Sequence, residues 1–261
     1  MGGKLVICKM VALNNLVLIG QGAPNQLKDK RQAKCVCAWS LDNKQFYRIY
    51  PVPIKWLRKW DVFSVEVEKN PQDNRENTWK IKNSKEDWNK LDKWIILGRK
   101  LSRKEQINIL REIPKTTLGE LIKNKTSFGL IKPKNIKFEL EQRNEHTEKQ
   151  LTLQFGEESL PNLDEGFAII NQCDYKFKPY IKYECEGDCS CKNKVHRQQI
   201  IEWGCYEYMR QFPGKEENLK DNLRLFDEDY EVLLLVGNLH KAPQTYIIID
   251  VLRFKKEENK K

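Results

Sequence analysis

The chain has 261 residues, 39% of them apolar, with 47 Lys and Arg against 37 Asp and Glu for a formal charge of +10. That length supports an apolar core without disulfide staples, and no apolar run nears the roughly 18 residues a membrane-spanning helix requires. The N-terminus lacks the charged-then-apolar pattern of a secretory signal, so a cytoplasmic location and no membrane partner are expected.

The first segment reads as β. Residues 4–12 and 16–20 have strand composition, a polar link covers 21–32, and residues 34–40 and 45–50 flank Asp42-Asn43, a pair suited to the positive φ of a tight hairpin turn. Pro51 and Pro53 end that hairpin, because proline cannot donate to a ladder. Residues 54–60 fit one or two helical turns, 61–68 alternate with period two, and a loop over 70–77 leads into a short strand at 78–82.

The middle reads as helical. Ser84 stands as an N-cap with Glu86 and Asp87 in the first turn, and Trp88, Leu91 and Ile95 recur at helical spacing. Ser102 opens a second helix that Pro114 stops, and residues 117–124 form a third. Strands follow at 127–132, 135–142 and 150–155, with a polar hairpin tip holding His146, and 156–165 reads as a linker. Beyond it, strands at 167–173 and 179–185, a helix at 196–212 broken by Pro213-Gly214, and a closing hairpin of 231–239 and 245–254 complete the chain.

Charge divides the chain as well. Residues 1–150 hold 31 basic and 17 acidic side chains, +14, and residues 151–261 hold 16 and 20, −4. A basic half offers an anionic partner a positive surface, nucleic acid being the commonest.

Chemistry concentrates at Cys185, Cys189, Cys191 and His196, a C-x3-C-x-C-x4-H pattern within twelve residues. Three thiols and an imidazole in short loops suit one tetrahedral, structural Zn2+. Cys205 in place of His196 would give an all-thiolate set open to zinc or an iron–sulfur cluster. Nine positions along a helix separate the two, about 13 Å, which favours His196. A third feature is the run from Tyr47 to Trp60, which interleaves aromatics with Arg48, Lys55, Arg58 and Lys59 as a reader of single strands or flipped bases would. The loop Asp73-Asn74-Arg75 offers Arg75 to a phosphate or base edge, with Trp79 anchoring the strand behind it. No phosphate-binding loop, nucleophile elbow, His-pair motif or dinucleotide fingerprint is present.

The strand Tyr47-Arg48-Ile49-Tyr50-Pro51-Val52-Pro53, the Asp73–Arg75 loop, the Cys/His knuckle running to Trp203, Val236-Gly237-Asn238 and Pro243-Gln244-Thr245-Tyr246 together resemble a family of prokaryotic proteins to which no function is attached. The resemblance covers both halves and implies that the metal site is integral; it brings no catalytic residue.

The fold expected is α+β. A basic domain over 1–156, a PUA- or OB-like bent sheet or small barrel with a helical insert at about 84–124, precedes a zinc-braced α/β domain over 157–261. The function expected is a nucleic-acid-binding protein, not itself an enzyme, in nucleic-acid metabolism or defence against mobile DNA, with Arg48, Lys55, Arg58, Arg75 and Trp79 as contacts. Two alternatives stand beside it: a metal-dependent nuclease using carboxylates such as Glu202 and Asp250, and a scaffold whose basic face docks an acidic protein partner.

Overall fold

The computed structural model describes residues 10–27, 31–71, 73–143 and 175–256. Its architecture is mixed α+β with few helices among the described residues. Alternating apolar residues build β1 (Met10–Gln21), β3 (Gln32–Ser40), β4 (Phe46–Pro53), β5 (Asp61–Glu68) and β6 (Thr78–Ile81), with a two-residue β2 (Asn25–Gln26) beside β3. The strands run β1-β3-β4-β6-β5, and β5 pairs back onto β1 from Met10↔Glu68 to Val17↔Val62, closing a five-strand barrel. Only β4–β6 is a parallel pair within it. Leu16, Leu18, Val36, Ile49 and Phe63, each at most 1% exposed, fill the interior, so the barrel is a packed core and no channel. β7 (Ile95–Lys100) extends the sheet along β5.

Three local expectations are corrected here. Residues 84–94 are not a helix: they form turns with one 3-10 turn at Leu91–Lys93. Asn83 takes a positive φ of 48°, the Trp94 indole N–H donates to the Asp87 carboxylate at 3.0 Å, and the Trp94 carbonyl accepts from Glu66 N at 2.9 Å. These bonds lead the chain into β7 opposite Val65, so sheet pairing overrides helical spacing. Residues 54–60 also form turns, with positive φ at Leu57 and Trp60, and the carbonyls of Ile54 and Leu57 accept from the buried Lys34 ammonium at 3.2 and 2.6 Å. In the β3–β4 turn the left-handed residue is Lys44, where Asp42-Asn43 was expected.

The two remaining helices of the middle segment form as their caps dictate. Ser102 and Glu105 make a capping box at the start of α1 (Arg103–Glu112), and Thr117 and Glu120 make another at α2 (Leu118–Asn124). β8 (Phe128–Ile131) then joins β12 (Tyr230–Asn238) and β13 (Tyr246–Lys255) in one three-stranded sheet, and β9 (Pro133–Gln142) joins β10 (Phe177–Cys185) and β11 (Val195–Gln199) in another. α3 (Trp203–Gln211) and a single-turn α4 (Leu219–Asn222) cross between β11 and β12. Helix 196–212 is thus corrected to a strand and a shorter helix, and His196 lies on β11 opposite Tyr183. The hairpin tip with His146, the strands at 150–155 and 167–173, the linker and the division at 156/157 lie outside the described residues.

The barrel and the second unit meet over the outer face of β3 and β4. Cys37, Trp39 and Phe46 pack there against Phe128, Leu235 and Ile249. Arg48, 3% exposed, crosses the seam: it lies over the Phe128 ring and donates to the Ser127 carbonyl at 3.1 Å and to Asn238 Oδ1 at 3.0 Å.

Candidate metal centre

Strand pairing sets the frame of the centre. Cys185 ends β10 opposite Pro133, and the Glu186 amide donates back to the Lys132 carbonyl at 2.9 Å, so the chain leaves the sheet at a fixed point. It re-enters at β11, where His196 points inward with its ring edge-on to Tyr183, centroids 5.5 Å apart. Between them the loop turns Cys189 inward, held by the Lys194 ammonium on the Cys189 carbonyl. One ligand atom each of Cys185, Cys189 and His196 lies within 4.8 Å of the other two, and Cys189 Sγ is 3.4 Å from His196 Nε2. Such a triangle of two sulfurs and one nitrogen can hold a metal ion.

A second element completes the pocket. The first amides of α2 point at the sulfurs: Leu118 N–H donates to Cys185 Sγ at 3.4 Å, and Gly119 N–H donates to Cys189. A Cβ on Gly119 would stand 2.4 Å from Ser190 Oγ and 2.8 Å from Ser190 N, so only glycine lets the loop rest on this helix end. Helix-end amides favour negative charge, here at the sulfurs they face.

The electrostatics follow. Burial pushes the Cys185 thiol up to about 12 and the Cys191 thiol up to about 11. Burial also raises Cys189, but the amides of Cys191 and Gly119 and the flanking thiols outweigh it, and its pKa falls below the ordinary thiol value. Burial and the Lys194 charge lower His196, favouring the neutral imidazole that a metal requires. One thiolate is thus stabilised by the protein alone; a second and third need a cation.

Cys191, expected as the fourth ligand, lies against Cys189, with both its amide and its thiol in hydrogen-bond contact, but outside the mutual 4.8 Å set. Cys205, the alternative to His196, is on α3, 1% exposed, with its thiol 3.8 Å from Glu202 Oε2. It does not join the cluster.

The expected nucleic-acid contacts scatter. Arg48 is in the interior seam. Arg75 pairs with Asp73 at 2.6 Å and donates to the Asn238 carbonyl at 2.7 Å, its side chain 9% exposed. Trp79 is half-buried beneath the Lys69 ammonium. Lys55 and Arg58 are exposed. Arg48 and Arg75 converge on Asn238, a meeting that sequence spacing could not reveal across 190 and 163 positions.

Glu202 and Asp250, which the sequence offers as carboxylates of a nuclease, meet at a further junction. Asp250, 1% exposed, takes the Lys59 ammonium from the barrel, and Glu202 accepts from the Val251 amide at 3.0 Å with Arg253 at 3.8 Å. Burial, then the Glu202 charge, raises Asp250 to about 7 despite Lys59.

A family model described as a domain of unknown function (DUF8757) matches residues 116–261, more than half of the chain. The chain belongs to that family. A second model, likewise described as a domain of unknown function (DUF8758), matches residues 12–112, the barrel with β7 and α1. No curated protein matches. α2 and the whole Cys/His cluster fall inside the DUF8757 match, so the helix end and the sulfurs it serves belong to one unit.

Proposed function

We propose that the protein binds nucleic acid and that one structural zinc ion, held by Cys185, Cys189, His196 and a Cys191 drawn in on binding, braces its second unit. The observation that carries the reading is the barrel. Its five strands run first-second-third-fifth-fourth, counting β1, β3, β4, β5 and β6, with the third and fifth parallel, an order that supports the OB kind of barrel over the PUA kind. OB barrels bind oligonucleotides on the face of strands two and three and with the loops beside it. In this protein that face is covered by Phe128, Leu235 and Ile249, which leaves the loops. The loop over 69–77 carries Arg75, and exposed Lys55 and Arg58 lie between the third and fourth barrel strands. The +14 charge of residues 1–150 supplies the field that draws a polyanion in.

The Cys/His set suits zinc for a physical reason: a closed site of borderline-soft donors leaves no open coordination position for a reacting water. The test is the composition of protein purified without added nucleic acid. One zinc per chain and a raised ratio of 260 to 280 nm absorbance support both halves of the reading. Absence of zinc removes the brace, and no retardation of DNA or RNA in a native gel removes the binding function.

A nuclease reading draws on the convergence of Glu202, Asp250 and Lys59. Burial of both carboxylates and their internal donors favour a structural junction. Cleavage that needs added magnesium and is lost in Glu202→Gln would reverse that judgement.

A further inference from the structure

Two cavities open along the seam between barrel and second unit, and Glu76 lines both. The larger, about 630 Å³, has a mixed lining: Arg75 and Lys125 bring positive charge, Asn238 and Gln244 bring side-chain amides, and Ile122 and Pro243 bring apolar surface. The smaller, about 260 Å³, has Trp39, Phe46 and Phe128 in its wall. These rings brace one another edge to face, with centroids 4.9 Å apart for Trp39–Phe46 and 6.1 Å for Phe46–Phe128. The aromatic wall is therefore preset.

Arg75 is preset as well. Its Nε and Nη2 donate to Asp73 at 2.9 and 2.6 Å and its Nη1 to the Asn238 carbonyl at 2.7 Å. A guanidinium has five N–H donors, so two remain beyond these three bonds. Lys125, exposed at the end of α2, adds a charge that Asp73 does not offset.

We propose that the two cavities form one cleft for a single nucleotide unit, its phosphate at Arg75 and Lys125 and its base against the half-buried Phe46 ring, which Trp39 and Phe128 hold edge-on. The inference rests on the nucleic-acid reading for the kind of ligand and assigns the place where one residue of a strand is gripped. The larger cavity is of the size that small-ligand sites have, and the smaller adds room for a ring beside it. Base stacking on aromatic side chains and phosphate contact by fixed Arg and Lys are the two ways single strands are held. Glu76 lines both cavities and its carboxylate accepts hydrogen bonds only, which suits a base edge with two adjacent donors, as guanine has in N1–H and its 2-amino group. The cleft accordingly favours guanine over uracil, which offers N3–H alone.

Titration calorimetry of the full chain with AMP, CMP, GMP, UMP, inorganic phosphate and a single-stranded oligonucleotide tests the cleft. GMP should bind about tenfold tighter than UMP and phosphate, and Lys125→Glu should weaken both GMP and the oligonucleotide about tenfold. Gln244→Glu, on the opposite wall and exposed, repeats the charge change should Lys125→Glu lower the melting temperature. Oligonucleotide binding unchanged by both variants overturns the cleft and leaves nucleic-acid binding standing. Mononucleotide binding without oligonucleotide binding keeps the cleft and removes the nucleic-acid reading. Absence of binding by every probe overturns both.

Discussion

At the scale of single residues, Cys189 makes the most contacts within the candidate metal centre: His196 Nε2 at 3.4 Å, the amides of Gly119 and Cys191, and the neighbouring thiols. If the proposed zinc is bound at one per chain, Cys189→Ser is expected to reduce it to under a tenth and to loosen the loop between β10 and β11, as read by metal analysis and near-ultraviolet circular dichroism. Stripping the metal with a chelator should lower stability by roughly 4 kcal/mol if zinc had stood at about a thousand times its Kd. Retention of zinc by Cys189→Ser would shift the centre to other donors. Arg48 makes the opposite kind of residue, one whose type suggested a surface role and whose place is interior. Arg48→Ala leaves Asn238 Oδ1 buried without its Arg48 donor and takes one of two donors from the Ser127 carbonyl, which keeps the Asn238 amide, so urea unfolding should register a loss of about 1–3 kcal/mol. Lys55→Ala and Arg58→Ala, both exposed, should change stability by less than about 0.5 kcal/mol.

At the scale of elements, the start of α2 matters twice, as a helix end and as the donor of amides to two sulfurs. Thr117→Ala removes its capping box, with an expected cost of about 1 kcal/mol, and should weaken zinc affinity as well. An unchanged affinity would mean that the amides of Leu118 and Gly119 do not need the cap to hold their aim. The start of α1 at Ser102 was read from the sequence, whereas Thr117 was placed inside the helix that it caps, although a Thr or Ser three residues before Glu acts locally in both. The service to Cys185 was not, since 67 positions separate the partners. Where local and long-range bonds compete, the local reading failed. The pattern Trp88, Leu91, Ile95 does mark buried residues, but Asp87 caps the Trp94 indole and Glu66 takes the Trp94 carbonyl, and a strand results. On β11 the inward residues are His196 and Gln198, both polar, so the period-two pattern that announces a strand elsewhere was masked.

At the scale of the molecule, the seam between barrel and second unit decides both stability and access. Its charged groups include Asp250, raised to about 7 by burial and by Glu202, facing Lys59 from the barrel and Arg253 on its own strand. An aspartate raised from about 3.9 contributes stability that is full below pH 4 and lost as pH rises through 7. Lys34, lowered to about 7 by burial, acts in the other sense: its share is full above about 10.4 and lost as pH falls towards 7. Unfolding free energy should therefore pass through a trough near neutrality, and Asp250→Asn should flatten its acid side while leaving the alkaline side; a monotonic profile in both proteins would contradict the seam as described. The five-strand closure was foreseen as a bent sheet or small barrel, whereas the covering of its outer face was not, because the residues that cover it, Phe128, Leu235 and Ile249, read only as strand interiors. That covering moves the expected contact with a polyanion from the sheet to the loops, which the salt dependence of binding can examine for the intact protein. When a labelled single-stranded oligonucleotide is titrated over about 50 to 300 mM salt, log Kd should rise with log salt with a slope of about 0.7 for each phosphate contact, and Lys55→Ala and Arg58→Ala should each reduce the slope by roughly that amount. An affinity independent of salt, or no binding at the lowest salt, would contradict it.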